Sequence, residues 1–271
     1  DVMLEKEIAN IDHRDSFYHC LVNAAHQFRA TKDDESYILA GYPWFKPRAR
    51  DTFISMPGLT LAIGEKDRFE AYMATAEKAL YNFMHKEPMS VDIYEMEQPD
   101  TLLWATWTIQ QYAKYTSRKA CYEKYGKLLK DIMGFIWKGL HPNLFLHENG
   151  LLYANGRDHA ITWMNSQDGG RPVVPRSGYI VEFNALWYNA LKFFEQMLEE
   201  NGKQEDEDIK NTIKKDADKF ARSFKEVFLN EYGYLLDYVD GQMMDWSVRP
   251  NQLFAIAFDY SPLDMKERKA V

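Results

Sequence analysis

Apolar residues along most of the chain recur at the three- and four-residue spacing of amphipathic helices. The pattern predicts roughly eight helices, the first capped by Asp15 and the last opened by Pro250 at a first-turn position. The seven predicted before the one at Pro250 lie near residues 17–28, 51–63, 66–84, 101–115, 119–138, 182–200 and 205–229. Helices joined in pairs, with loops rich in aromatic and charged residues at one end, suggest an α/α toroid or a helical bundle. The pattern alone does not choose between the two folds.

One stretch, from His141 to Ile180, shows little helical period. It contains Asn-Gly twice and the pair Gly169-Gly170, which are turn signals. Long irregular segments in compact domains are usually functional or disordered, and the aromatic residues of this stretch argue against disorder. No linker composition interrupts the chain, so residues 1–271 are predicted to form one domain.

Charge and composition exclude several classes of protein. The formal charge is −8, whereas a general nucleic-acid binder would show a basic surface. No apolar run approaches the ~20 residues of a membrane span. Cys20 and Cys121 form no metal or disulfide pattern, so both are predicted to be buried thiols in a reducing compartment. The histidine spacings match no common zinc site, and no metal is expected.

Three loop segments, residues 41–53, 162–189 and 237–252, combine Trp or Tyr with carboxylates, Arg and Asn. Sugar rings need such surfaces, because their C–H faces pack on aromatic planes and their hydroxyls favour planar bidentate partners. Two simpler interpretations stay open at this point. Asp51 could be a helix cap, and the loop tryptophans could be ordinary packing residues.

The chain carries a set of motifs that resemble, in sequence and in order, those of the amylo-α-1,6-glucosidase domain of glycogen-debranching enzymes. The motifs are Gly41-Tyr-Pro-Trp-Phe, Arg50-Asp51-Thr-Phe, Asp100 with Leu103-Trp104, Thr162-Trp-Met, Pro175-Arg176, Val181-Glu182, Asn184-Ala-Leu-Trp-Tyr-Asn-Ala-Leu191 and Arg249-Pro-Asn-Gln252. They run from about Tyr37 to Phe254, so the resemblance covers most of the chain.

The resemblance implies an all-α fold, an (α/α)6 barrel with a sugar pocket at one rim. It implies inverting hydrolysis of α-1,6-linked glucose at glycogen branch points, with one carboxylic acid, one carboxylate base and no cofactor. The implied partner is an α-glucan such as glycogen or limit dextrin, and family habit together with the cysteine usage points to the cytoplasm. The oligomeric state is not implied.

The resemblance also implies roles for individual residues. Arg50 and Asp51 would hold the terminal glucose, and Glu182 would be a pocket carboxylate. The expected stacking walls are Trp44, Trp104 and Trp163, and the expected later rim is Arg249 and Asn251.

The chain departs from the family pattern at Asn165, where the family has the aspartate expected to be the general acid. An amide has no carboxyl proton, and general acid catalysis is typically worth about 10²–10⁴-fold. Either another carboxylate, such as Asp168 or Glu182, takes over, or catalysis is impaired. The alternatives to a debranching enzyme are therefore a glucan-binding barrel and a hydrolase of glucoamylase or trehalase type.

A second departure concerns length. A twelve-helix barrel needs about four helices more than the pattern predicts, and nothing after Asn251 matches the segment expected to hold the general base. We therefore expect a barrel incomplete at its C-terminus, in a fragment of a longer protein.

Overall fold

The computed structural model describes residues 16–42 and 44–271. The chain divides into two compact units, with the boundary between Glu97 and Gln98. It is mostly helical, with 55% helix and nine α-helices in the described residues, together with three small antiparallel sheets. The expected helical class is therefore found, although not as a purely helical fold, while the closed barrel and the single domain stay predictions.

The first unit contains three helices and one β-hairpin. Its elements are α1 (Phe17–His26), β1 (Arg29–Lys32), β2 (Glu35–Ile38), α2 (Ala49–Leu59) and α3 (Lys66–His85). Helix α1 is capped by Ser16, whose side chain accepts a hydrogen bond from the His19 N–H at 3.1 Å. The predicted cap, Asp15, lies outside the described residues.

The hairpin β1–β2 was not predicted from the sequence. Its two-residue turn is Asp33-Asp34, and both residues have positive φ angles, 52° and 65°. Two positive φ angles are the mark of a type I′ turn, in which Asp is one of the favoured residues. The turn chemistry was thus present in the sequence, but without the glycine that makes the signal strong.

In the second unit, the helices surround a central one. They are α4 (Thr101–Tyr115), α5 (Arg118–Trp137), α6 (Val181–Asn201), α7 (Glu207–Phe228), α8 (Phe254–Ala257) and α9 (Met265–Ala270). Helix α6 is buried on most sides and contacts α4, α5, α7 and α8. Helix α7 buries one face only, through Phe220, Phe224 and Phe228, and Phe220 stacks on Tyr188 of α6 at 5.4 Å. Burial of each such ring contributes about 1.5–3 kcal/mol.

Residues 141–180 contain strands where the sequence predicted irregular chain. The strands of this unit are β3 (Phe145–Leu146), β4 (Leu152–Ala154), β5 (Gln167–Asp168), β6 (Arg171–Pro172), β7 (Gly178–Ile180), β8 (Tyr238–Asp240) and β9 (Met243–Met244). Five of them form one antiparallel sheet in the order β3-β4-β7-β8-β9, and β5-β6 is a separate hairpin. Strands of two or three residues are too short for an alternating pattern to be recognised.

None of the helices in the described part of the chain has the length and apolar character needed to cross a bilayer. The prediction of two buried thiols is half wrong. Cys121 is buried in α5, whereas Cys20 lies on the exposed side of α1, where neighbouring residues also face solvent.

Candidate active site

In the five-stranded sheet, called the large sheet below, the pairing of β7 with β8 determines which residues lie side by side where these two strands stop pairing. Ile180 pairs with Tyr238, so the next pair outward is Val181 and Asp237, and the Val181 N–H donates to the Asp237 carbonyl at 3.1 Å. The carboxylate of Glu182, at the start of α6, is thereby brought near the carboxylate of Asp237, which lies 55 positions further along the sequence.

The guanidinium of Arg176 lies between these two carboxylates. Its Nη1 and Nη2 atoms donate to the two oxygens of Glu182, the second at 2.6 Å. Its Nε and Nη2 atoms donate to the Asp237 carboxylate at 2.8 and 2.9 Å. The three side chains are 1%, 3% and 1% exposed for Arg176, Glu182 and Asp237. Bidentate geometry of this kind is what allows charges to be buried without a large net cost.

Burial changes the proton affinity of this cluster. It raises the pKa of Glu182, and the charge of Asp237 raises it further, although the Arg176 guanidinium opposes both effects. Burial alone would lower the pKa of Arg176, but its two carboxylate partners outweigh burial and hold that pKa above its ordinary value. Arg176 is therefore a fixed cation at neutral pH.

A second arginine extends the network toward solvent. Arg249 Nη1 donates to Asp237 Oδ2 and to Asp245 Oδ2, both at 2.8 Å. Burial would raise the pKa of Asp245, but hydrogen bonds from Ser247 and Arg249 outweigh burial and lower it. Asp245 is therefore held ionised as the outer partner of Arg249.

Asn251 connects the ionic network to an exposed indole. Its side chain is fully buried. Its Nδ2 atom donates to Asp237 Oδ1 at 2.7 Å, and its Oδ1 atom accepts from Trp163 Nε1 at 2.8 Å. Trp163 is 48% exposed, so a continuous chain of hydrogen bonds runs from buried Glu182 to an indole that faces solvent.

Asn165 lies two positions after Trp163 in the sequence, is exposed, and is separated from the β5–β6 hairpin by Ser166 alone. Gly169-Gly170 turns this hairpin, and both glycines have positive φ angles, 54° and 80°. An exposed indole beside an amide can offer a sugar a stacking face and a hydrogen-bonding group, but the amide has no acidic proton.

Four of the predicted site residues, Trp163, Glu182, Arg249 and Asn251, thus belong to one network. The sequence interpretation missed its centre. Arg176 stood in a quoted motif and Asp237 opened the third aromatic segment, but neither was named as a site residue. The available signal was an arginine six positions before Glu182 in a segment rich in site residues.

Trp104 has a different environment in the same unit. It is 5% exposed, its indole N–H donates to Asp100 Oδ2 at 3.1 Å, and its ring contacts Trp107 and Phe254 edge-on at 5.6 and 5.7 Å. These are packing contacts, and its role as a stacking wall stays a prediction.

The remaining predicted residues lie in the first unit. Trp44 is 84% exposed, while Arg50 is buried. Asp51 is exposed in the first turn of α2, whose N-cap residue is Arg48. The interpretation of Asp51 as the helix cap is therefore wrong, although its charge suits the positive end of the helix dipole. Pro43, within the first motif, lies outside the described residues.

The sequence model of the family described as Amylo-alpha-1,6-glucosidase matches residues 19–271. The chain belongs to this family. A search of the curated proteins finds no match. Membership of the amylo-alpha-1,6-glucosidase family makes the chain a relative of glycogen-debranching glycosidases. In this family member, no group of three or more His, Cys, Asp and Glu side chains among the described residues is arranged to hold a metal ion.

Proposed function

We propose that the protein that contains this chain hydrolyses α-1,6-linked glucose at the branch points of glycogen-like glucans, with inversion at the reacting carbon. Family membership supports this reaction class. The single observation that carries the location of the site is the hydrogen-bond chain from Glu182 through Arg176, Asp237 and Asn251 to the exposed Trp163. These hydrogen bonds hold the Trp163 indole, which lies two positions before Asn165 in the sequence, and the resemblance implies that Asn165 stands where the family has its acid.

The proposed division of roles keeps the residues predicted from sequence, apart from Trp104, whose indole is packed among other aromatic rings. Trp163 stacks on the sugar ring, and the Asn165 amide donates a hydrogen bond to the glycosidic oxygen. Arg249 lines the later rim of the pocket. Asn251, predicted for the same rim, is fully buried and supports it through its hydrogen bond with Trp163 instead of contacting the sugar. For the first unit, taken by itself, the proposal follows the family resemblance: Arg50 and Asp51 bind hydroxyls of glucose, and exposed Trp44 offers an aromatic face. In the family pattern, the base that activates water belongs to a later segment.

Two carboxylates compete for the role of acid. Glu182 has a raised pKa, which suits a proton donor, but both of its oxygens are bound by Arg176 and it is buried. Asp168 is exposed on β5, three positions after Asn165. Glu182 would have to leave Arg176 to donate a proton, whereas the exposed carboxylate of Asp168 has no buried ion pair with Arg176 to break.

The experiment is glucose release from a branched limit dextrin by the full-length protein, beside its Asp168→Asn and Glu182→Gln variants. The carboxylate that acts as acid is identified by a loss of about 10²–10⁴-fold in kcat in its own variant. Because Glu182→Gln also removes a charge from the buried cluster, kcat is compared only at a temperature at which thermal unfolding shows each variant to be folded. Maltoheptaose serves as the linear substrate, because release from it at an equal rate would indicate a hydrolase of glucoamylase type.

Asn165 favours a second candidate function, a protein that binds α-glucan without cleaving it. In that case the full-length protein is retarded in a native gel containing glycogen but releases no glucose. Both candidates place the protein where glycogen is stored. Its two cysteines are free, which supports a reducing compartment, the cytoplasm.

A further inference from the structure

The large sheet presents one row of side chains that crosses all five of its strands. The pairings Phe145 with Tyr153, Tyr153 with Tyr179, Tyr179 with Val239, and Val239 with Met244 put these five residues at one register position. Neighbouring strands are about 4.8 Å apart, so four intervals make a row about 19 Å long. We name these five residues the sheet row.

Both ends of the sheet row face solvent. Phe145 is 40% exposed and Met244 is 50% exposed, while the two tyrosines are half-buried and Val239 is buried. On the opposite side, Leu152, Ile180 and Tyr238 are buried, so the three central strands are covered there, whereas Met243 of β9 is exposed. The side that carries the row has accessible aromatic and thioether groups at both of its ends.

The two tyrosine rings of the row are held in place by their neighbours. His147 stacks on Tyr153 with ring centres 5.1 Å apart, and its Nδ1 atom lies 2.8 Å from the hydroxyl of Tyr179. The Tyr153 hydroxyl donates to Asp240 Oδ1 at 3.0 Å. The Asn149 amide donates to the Tyr179 hydroxyl at 3.3 Å. Rings fixed in advance lose little rotamer entropy when a ligand covers them.

The carboxylate of Asp240, which accepts from Tyr153 of the row, is balanced by the cation of Arg157. Arg157 is 68% exposed and donates to one oxygen of Asp240 from Nε at 2.9 Å and from Nη2 at 2.7 Å. An anionic ligand would have to compete with Asp240 for this cation. A neutral ligand that alternates apolar faces with hydroxyls matches fixed aromatic rings beside a charge-balanced polar group, and a chain of sugar rings is such a ligand.

The sheet row is continuous with the candidate active site. Strand β7, which carries Tyr179, leads directly into Glu182, and strand β8, which carries Val239, begins directly after Asp237. A chain of sugar rings that is bound along the row therefore lies next to the ionic network, which is carried by the same two strands. We propose that the sheet row is a binding surface for a linear stretch of α-glucan several sugar rings long, adjacent to the candidate active site. The proposal rests on the proposed function for the class of sugar.

The test compares long and short ligands by calorimetric titration of the full-length protein with maltoheptaose and with maltose. The wild type is expected to bind maltoheptaose at least about tenfold more tightly, because only the longer chain can cover the row. Phe145→Ala is expected to weaken maltoheptaose binding by about three- to tenfold, the value of one aromatic contact, and to leave maltose binding unchanged. Met244→Ala, at the other end, should give a smaller loss of the same kind.

The matched control is Tyr115→Ala, which removes a ring that is 57% exposed on α4 and lies outside the row. It should leave the ratio of the two affinities unchanged. The inference is overturned if Phe145→Ala and Met244→Ala keep the wild-type ratio, if Tyr115→Ala reduces it as much, or if the wild type binds maltose and maltoheptaose equally. Wild-type protein that binds neither sugar overturns both the inference and the proposed function, so the two failures are distinguishable.

Discussion

The Nδ2 atom of Asn251 lies 2.7 Å from the Oδ1 atom of Asp237, and this hydrogen bond joins a buried ionic cluster to an exposed indole. On the inner side, Asp237 is bound by Arg176, which also binds Glu182. On the outer side, Asn251 accepts from Trp163. The orientation of the exposed Trp163 indole therefore depends on the buried charges of this cluster.

Removal of the central cation should destabilise the second unit strongly. In Arg176→Leu, Glu182 and Asp237 stay buried without the partner they share, and breaking a buried pair costs about 3–5 kcal/mol. Urea unfolding measures the difference in the free energy of unfolding. Lys210→Leu is the control, since it removes only an exposed pair with Glu207 on α7 and should leave the midpoint nearly unchanged. Equal midpoints for the two variants would refute the role of the cluster.

The free energy of unfolding should decrease as the pH is lowered, because His141 is buried in its neutral form. Burial lowers its pKa from 6.5 to about 4, while its Nδ1 atom accepts from the Asn143 N–H at 3.0 Å. Between these two values the unfolded chain takes up a proton and the folded chain does not. The stabilisation is therefore complete above pH 6.5 and is lost as the pH falls toward 4, by up to about 3 kcal/mol.

The contribution of His141 is measured by urea midpoints at about pH 7.5, above that range, and at about pH 4.5, near its lower end. His141→Gln should show a smaller difference between the two conditions than the wild type. His159→Gln changes an exposed histidine and should keep the wild-type difference. If the midpoints of His141→Gln at the two pH values differ by as much as those of the wild type, other groups cause the pH dependence.

The two cysteines should differ in reactivity toward an aromatic disulfide reagent at pH 8. Cys20 is exposed, whereas burial raises the pKa of Cys121 to about 12 and its thiol lies 3.5 Å from the Ile109 carbonyl. The thiolate is the reactive form, so only Cys20 should react in the native protein. Denaturant should expose the second thiol, and Cys20→Ser should abolish the native reaction. Two native equivalents would contradict the placement of Cys121 in the core.

Gly178 should tolerate no side chain. Its φ angle is +95°, and an added Cβ would lie 2.2 Å from the Val239 carbonyl on the neighbouring strand. Gly178→Ala is expected to lose about 2 kcal/mol or more of stability. Gly134→Ala, in the last turn of α5 with nothing within 4 Å of an added Cβ, should instead gain up to about 0.5–1 kcal/mol. Opposite signs in thermal unfolding are the expected result, and a neutral Gly178→Ala would show that β7 and β8 can separate there.

The long helices could be predicted because each repeats its apolar period many times. The predicted range 101–115 coincides with α4, and the range predicted for α6, 182–200, differs from Val181–Asn201 by one residue at each end. The large sheet could not be predicted, since its strands have two or three residues and pair across long stretches of chain. The same pairing creates the site, because Arg176 meets Asp237 only when β7 lies beside β8. The exposure of Trp163 and the burial of Trp104 likewise follow from tertiary packing.

The most direct test of the central claim is glucose release from a branched limit dextrin by the full-length protein and its Asn165→Asp variant. The account places residue 165 where a proton is delivered to the leaving oxygen. It therefore predicts that the aspartate raises kcat on the branched substrate, by up to about 10²–10⁴-fold if no other carboxylate has taken over, with little change in KM. Absence of glucose release from both proteins, or a loss of activity in Asn165→Asp, would contradict it.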